Sequence, residues 1–228
     1  LDQIHAYHDN VLEQNISLKT AEIKALQSQL NPHFIFNVLN TLAWKAEMSD
    51  NSELSQMAIA IGEIFKATTA YRNSQYISIA EELKFVKFYI YLQQMRFEDK
   101  ISVTFDIDKD LDDINIPCFC VQLVENAYVH GLEPKDTNGH LTISIKKDNE
   151  NKFLLINIID DGVGFEKIPK FDINVASKGT TSEAVGSRPH IGLKNLNRRL
   201  FLMYGEYAVL HIESIPEVRT AISFKIPL

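Results

Sequence analysis

The spacing of apolar residues changes near residue 100, and that change decides what the chain can fold into. Before it, apolar positions return every three or four residues: Ile16, Ile23, Leu26 and Leu30 at heptad-like spacing, then Leu54, Met57, Ala58, Ile61, Ile64 and Phe65, with Thr68 closing the stripe. After it they alternate, as in Ile101-Ser102-Val103-Thr104-Phe105 and Leu141-Thr142-Ile143-Ser144-Ile145. A period near 3.6 suits a helix and a period of two suits a strand. A helical part followed by a mixed part is therefore expected.

Only Pro32 interrupts a helix between Leu1 and about Trp44, and the heptad spacing reads as a coiled-coil lead-in over residues 1–25. The polar stretch from Ser49 to Ser52 separates a second amphipathic helix, so residues 26–75 read as a helical hairpin. A hairpin this small cannot cover its own stripes, and dimerisation into a four-helix bundle is the expected remedy. A third helix opens at Ser78 with the capping box Ser78-Ile79-Ala80-Glu81 and turns Leu83, Val86, Ile90 and Phe97 inward. Phe153 to Ile159 reads as a buried central strand, with further strands at Ala208 to Ile212 and Ala221 to Ile226. Helices are expected from Pro117 to His130, with Gly131 at the end, and from Ile191 to Tyr204. Residues 76–228 thus read as an α/β sandwich and the whole chain as α+β. Glu166 to Pro189 shows no periodicity and reads as a lid or a disordered loop.

The 228 residues carry a formal charge of -7, and no basic run exceeds two residues. That argues against nucleic-acid binding, which needs clustered Lys and Arg to displace phosphate counterions. Cys118 and Cys120 flank Phe119 too tightly, and too far from other ligands, for a tetrahedral zinc site. They read as buried thiols in a reducing compartment. No apolar run approaches the roughly 18 residues of a membrane span, and no signal peptide is visible. The chain starts at Leu1, so it is expected to be part of something longer.

Four separated motifs occur in order: Leu30-Asn31-Pro32-His33-Phe34-Ile35-Phe36-Asn37, Val124-Glu125-Asn126-Ala127, Asp160-Asp161-Gly162-Val163-Gly164-Phe165, and Ile191-Gly192-Leu193-Lys194-Asn195-Leu196. Together they resemble the LytS/YesM-like branch of two-component sensor histidine kinases, over nearly all of Leu26 to Leu228. Each motif alone is weak, but four in order with fitting helix and strand contexts are strong. The resemblance implies a dimerisation and phosphotransfer domain at 26–75 and a catalytic Bergerat (GHKL) ATP-binding domain at 76–228, the fold shared with gyrase and Hsp90.

By that resemblance His33 is the phosphoacceptor. On a wheel of about 100° per residue, Ile35, Val38, Leu39 and Leu42 lie opposite His33, while Asn37, Asn40 and Trp44 share its face. The imidazole is then open to a nucleotide, and a neutral imidazole near its ordinary pKa of about 6.5 is a competent nucleophile. A surface histidine without a role is the ordinary alternative, and it fits His5 and His8 better. Upstream of Pro32 the stripe of Ile16, Ile23, Leu26 and Leu30 lies on the His33 side. This change of face across a proline reads as a joint for signal input, or as a plain bend. Asn37, one turn past His33, reads as a packing or capping residue, or as one that positions a water for dephosphorylating a partner.

For the nucleotide, the resemblance makes Asn126 a Mg²⁺ ligand and Asp160 the acceptor for the adenine amino group. Gly162 and Gly164 let the chain turn sharply beside a flat ring, and Gly192 with Leu193 presents helix N–H groups to phosphate oxygens. The resemblance also makes Glu125 the catalytic acidic residue, orienting a Mg²⁺-bound water or the incoming imidazole. As ordinary structural features, Asp160 would be a cap and the glycines turn residues. Gyrase-like ATPases carry a water-activating glutamate four residues before the Mg²⁺ asparagine, and here that residue is Gln122, which cannot take a proton. Transfer to His33 is thereby favoured over hydrolysis. The family usually has a glycine where this chain has His190 and a Gly-Thr pair where it has Arg219-Thr220, and both departures bear on nucleotide affinity. Arg198 and Arg199 read as a solvated or salt-bridged helix face.

The implied function is ATP- and Mg²⁺-dependent autophosphorylation of His33, then phosphotransfer to an aspartate of a response regulator receiver domain. The implied setting is a homodimer on the cytoplasmic side of the bacterial membrane, anchored through a preceding region. Two other readings stand beside it: a catalytically silent dimeric scaffold that binds the response regulator, and a nucleotide-driven GHKL ATPase.

Overall fold

The computed structural model describes residues 32–73, 76–97, 100–118, 120–169 and 191–228. The lead-in over 1–25, the stripe before Pro32, Phe119, residues 170–190 and with them His190 lie outside the described residues. So do the side chains of His33, Phe97 and Cys120. The chain divides into two compact units, Leu1–Thr69 and Ala70–Leu228.

In the first unit α1 spans Pro32–Met48 and α2 spans Ser52–Asn73. The turn between them is closed by Asn51, whose N–H donates to the Ala46 carbonyl at 3.0 Å and whose Oδ1 accepts the Leu54 N–H at 3.0 Å. A short side chain that caps its own following helix is what a tight turn between helices requires. Small residues line the contact: Ala43, Ala46, Ala58 and Ala60 are buried, and a Cβ on Gly62 would touch Phe36 and Leu39 at 3.8 Å. Ile35 and Leu39 are half-buried, whereas Val38 and Leu42 of the same expected stripe remain exposed, Leu42 at 51%. Asn37, Asn40 and Trp44 are exposed as the wheel requires.

The second unit opens with β1, Ile77–Ser78, followed at once by α3, Ile79–Phe97. The Ser78 half of the capping box forms, because its hydroxyl accepts the Glu81 N–H at 3.2 Å. Then come β2 (Ile101–Ile107), β3 (Asn115–Ile116), α4 (Cys120–Asn126), β4 (Gly139–Lys147), β5 (Phe153–Asp160), α5 (Ile191–Tyr204), β6 (His211–Ile215) and β7 (Arg219–Pro227). Five strands form one sheet in the order β2-β4-β5-β7-β6, with β2 parallel to β4 and every other pair antiparallel. β1 and β3 form a separate antiparallel pair. Register builds the core in rows. Phe105, Ile143, Ile158, Ile222 and Ile212 lie side by side across the five strands, and Ile107, Ile145, Ile156 and Phe224 form the next row. Leu83, Val86 and Ile90 of α3, Leu123 and Val124 of α4, and Leu193, Leu196 and Leu200 of α5 close over this face. Helices over one face of a mixed sheet make the α/β sandwich that the change of period implied.

Two expected elements shift their boundaries. The helix expected from Pro117 begins at Cys120, because Asn115 and Ile116 are engaged as a strand with β1. It also runs past His130 as a wider π turn over Ala127–Leu132, with Gly131 inside it. There the Gly131 carbonyl leaves the helical ladder to accept the Val163 N–H at 2.9 Å, and the Glu133 N–H reaches back to Tyr128 at 2.8 Å. The strand expected at Ala208 to Ile212 lies three residues later, at His211–Ile215. Gly205–Ala208 is a 3₁₀ turn, and the Leu210 N–H is taken by the Asn197 side chain at 2.8 Å, so the ladder with β7 cannot start sooner.

Candidate functional site

One row of the sheet breaks the aliphatic rule. Beyond Ile158 and Ile222, at the end of the same covered face, the register aligns Leu141, Asp160, Thr220 and Ser214. Strand alternation alone puts a carboxylate and two hydroxyls where the helices stop covering the sheet. Asp160 is only 4% exposed, and its Oδ1 accepts the Gly162 N–H at 3.0 Å. Burial pushes its carboxyl up to about 6; the Gly162 N–H opposes this, the Asp161 charge adds to it, and Lys135 opposes it. An acid held this way, against an open cavity, is a poor structural choice and a good ligand contact.

The cavity has a volume of about 680 Å³. Its walls include Asn126, His130, Gly131, Asp160, Thr220 and Lys194, with Gly164 to Pro169 along one side. Gly131 makes room for the acid, since a Cβ there would lie 2.6 Å from Asp160 Oδ1. The adjacent Asp161 has a different task. Its carboxylate accepts the His140 N–H at 2.7 Å and pairs with Lys135 at 3.0 Å, which anchors the turn.

Of the residues expected from sequence, Asn126, Asp160 and Gly164 meet on this cavity. Gly162 does not line it. A Cβ on Gly162 would fall 2.2 Å from the Gly131 carbonyl oxygen, so what its bareness admits is the protein's own helix end and not a flat ring. Gly164, with φ of +77°, takes the left-handed conformation that favours glycine. Glu125 is exposed and off the cavity wall. Leu193 is 1% exposed and packs in the core, which leaves only its backbone to face a ligand. Gly192 stands in the first turn of α5, where N–H groups lack intrahelical partners. Its carbonyl accepts the Gln122 side-chain N–H at 3.1 Å. Gln122 is therefore engaged with α5, besides being unable to act as a base. Arg219 is exposed, and Thr220 holds the wall position. Arg199 donates to the Cys118 carbonyl and so ties α5 to the segment before α4, while Arg198 is exposed. The Cys118 thiol is buried and pushed up to about 12, mainly by burial and then by Glu82, so it is not a nucleophile.

Lys194, Thr220, His130 and Gly131 were not singled out as site residues by sequence. Thr220 has a signal in the register, because it faces Asp160 directly, but register is invisible until the strands are paired.

The residues fit a nucleotide. A carboxylate and a hydroxyl stand together, a glycine cradle leaves space beside them, and elsewhere on the wall Lys194 brings a cation and Asn126 an amide oxygen. Among the described residues no cluster of three or more His, Cys, Asp or Glu could hold a metal ion. A Mg²⁺ held by one side-chain oxygen and by phosphate oxygens needs no such cluster. Among the described residues no helix is long and apolar enough to cross a membrane.

The histidine kinase family model matches residues 21–101. The sensor protein LytS of Staphylococcus haemolyticus is 33% identical over 94% of this chain and 35% of its own length. The sensor histidine kinase YesM of Bacillus subtilis is 31% identical over 100% of this chain and 37% of its own. The structure of a blue-light activated histidine kinase of Erythrobacter litoralis aligns with a TM-score of 0.46 at 15% identity, covering 79% of this chain and 50% of that one. The chain spans about a third of the length of the curated relatives it matches. With the four motifs in order and three of the site residues they name on one cavity, the chain belongs to the LytS/YesM-like branch of the histidine kinase family.

Proposed function

We propose that residues 76–228 bind ATP with Mg²⁺, that residues 26–75 dimerise and present His33, and that the γ-phosphoryl group passes to His33 and then to an aspartate of a receiver domain. The observation that carries this reading is the convergence of Asn126, Asp160 and Gly164, from two separate motifs, on one cavity in a chain that also bears Asn31-Pro32-His33-Phe34. Asp160 accepts the amino group of the base. Lys194 and the first-turn N–H groups of α5, Gly192 among them, neutralise phosphate oxygens. Asn126 holds Mg²⁺, which when bound spreads the charge of the phosphate chain. An imidazole nitrogen of His33 forms a bond to the γ-phosphorus, the bond from that phosphorus to the bridging oxygen breaks, and ADP leaves with that oxygen. The phosphorylated imidazole then gives up the proton on its other nitrogen to solvent, and Glu125, exposed next to Asn126 in sequence, is assigned to orient the incoming imidazole or a Mg²⁺-bound water.

The relatives are named as sensor proteins, and this chain is proposed as the part that follows a membrane-anchored sensing region, on the cytoplasmic side. The exposed apolar residues of the hairpin, Val38, Leu42, Ile59 and Ile61, favour a second copy as its cover.

The test is incubation with Mg²⁺ and ATP labelled on the γ-phosphate, beside His33→Ala and Asp160→Ala. The expected result is acid-labile, alkali-stable label on the native chain and none on either variant. Phosphate release without protein label would overturn the reading in favour of an ATPase. Absence of nucleotide binding would favour the silent scaffold.

A further inference from the structure

The row that carries Asp160 continues for two more strands, and the last member does not touch the cavity. Thr220 stands directly across from Asp160 on one side and from Ser214 on the other. Residues opposite one another in antiparallel strands point their side chains to the same face. Thr220 is 3% exposed and lines the cavity, while Ser214 sits behind it on the edge strand. The Ser214 hydroxyl accepts the Phe165 N–H at 3.0 Å and lies 3.1 Å from the Thr220 hydroxyl. It is also packed against the glycine turn, since a Cβ on Gly164 would lie 2.8 Å from it.

A serine hydroxyl has one proton to give and two lone pairs. One lone pair of Ser214 is used by Phe165, and among the described residues the Thr220 oxygen is the acceptor within reach of its proton. A half-buried hydroxyl seeks to place that proton. Once Thr220 accepts from Ser214, its own proton turns away from Ser214 and toward the cavity. The wall then offers an acceptor, the Asp160 carboxylate, beside a donor, the Thr220 hydroxyl.

We infer that Ser214 is a positioning residue that fixes Thr220 as a hydrogen-bond donor, so that the cavity selects a ring edge carrying an amino group next to a bare ring nitrogen. This rests on the nucleotide reading above and deepens it. Adenine presents that edge, with an N6 amino donor beside the N1 acceptor. Hypoxanthine presents the reverse, with an O6 acceptor beside an N1–H donor, and meets like groups at both positions. A site whose polar groups are left unpaired by the wrong ligand discriminates far better than one that relies on shape alone.

The experiment measures affinities of the intact chain for ATP and for inosine triphosphate, which differ only at this edge. The native chain is expected to prefer ATP by about a hundredfold, the discrimination of two mismatched hydrogen bonds. Ser214→Ala frees the Thr220 hydroxyl to donate or accept, and the preference should fall roughly tenfold. Ser214→Thr restores the hydroxyl and should restore the preference, which a merely structural role would not require. Ser214→Cys keeps the volume but bonds weakly, and it carries the test should the alanine variant fail to fold; its preference should fall as well. An unchanged preference in folded Ser214→Ala or Ser214→Cys overturns the inference while leaving the nucleotide reading intact. Equal binding of the two triphosphates by the native chain does the same. Failure of the native chain to bind either overturns both.

Discussion

The two units bury their apolar residues to very different degrees. In the α/β unit the central rows of the sheet are sealed by three helices, and Ile143, Ile145, Ile156, Ile158 and Ile222 have essentially no contact with solvent. In the hairpin the buried set among the described residues consists of alanines, a serine and Gly62, while Leu42, Trp44, Met48 and Leu54 stand exposed. Buried apolar area stabilises a fold roughly in proportion to its extent, so the sheet unit is complete within one chain and the hairpin is not. The lesson is a division of labour. The proposed nucleotide site sits on the unit that needs no help, and the proposed phosphoacceptor sits on the unit that asks for a partner.

The sharpest way to break the comparison is to cut equal apolar groups from both units. Ile156→Ala, in the centre of the sealed face, should cost about 3 to 4 kcal/mol, read from urea unfolding of the chain. The same deletion in the hairpin at Leu42 should cost far less to the single chain.

Asp160 gives the next largest effect and sharpens the contrast within the α/β unit itself. Its carboxyl titrates at about 6 against an ordinary value of 3.8, a difference worth about 3 kcal/mol. The folded state holds this proton more tightly than the unfolded chain. The contribution is therefore fully present below the ordinary value, and it is lost as the pH rises from about 4 through about 6. Asp160→Asn should remove that slope and leave the protein about 2 kcal/mol more stable at pH 7 than the native chain. It should lose ATP binding, because an amide N–H then faces the amino group of the base. In the native chain, ATP affinity should weaken as the pH falls through about 6. A variant less stable at pH 7 would show that the acid serves the fold and not the ligand.

Leu42→Lys is a smaller perturbation of the chain and a larger one of its association. At 51% exposure it should change the unfolding free energy by no more than about 0.5 kcal/mol. Sedimentation should report a shift from dimer toward monomer. A dimer of unchanged affinity would remove the reason offered for the bare face.

A further small effect, on stability alone, belongs to Tyr128. Its ring is fully buried, edge-on to Tyr89 at 5.9 Å, and its hydroxyl has no hydrogen-bond partner among the described residues. Tyr128→Phe removes an unsatisfied group at little loss of volume and should stabilise the unit by about 1 kcal/mol or less in thermal unfolding.

Much of this architecture was legible in the spacing of residues. The helical hairpin, the Ser78 cap of the third helix, the central strand ending at Asp160 and the helix from Ile191 all stand as the sequence implied. Three of the site residues named by motif meet on the cavity. What escaped has a common cause. The π turn at Ala127–Leu132, the late start of β6 and the task of Gly162 all depend on a bond or close approach between segments distant in sequence. A glycine reads the same whether it makes room for a ligand or for the protein's own backbone.

By itself the sequence determined the elements, through periodicity, and the chemical candidates, through residue type at motif spacing. It also determined the absence of a base at Gln122, since an amide is an amide in any fold. Only the tertiary structure decided which candidates share a wall. Asp160, Thr220 and Ser214 come from three strands and become neighbours through register, a property of pairing that no single strand contains. The direction inferred for the Thr220 proton lies further still from the sequence, because it is argued from which lone pairs are already taken.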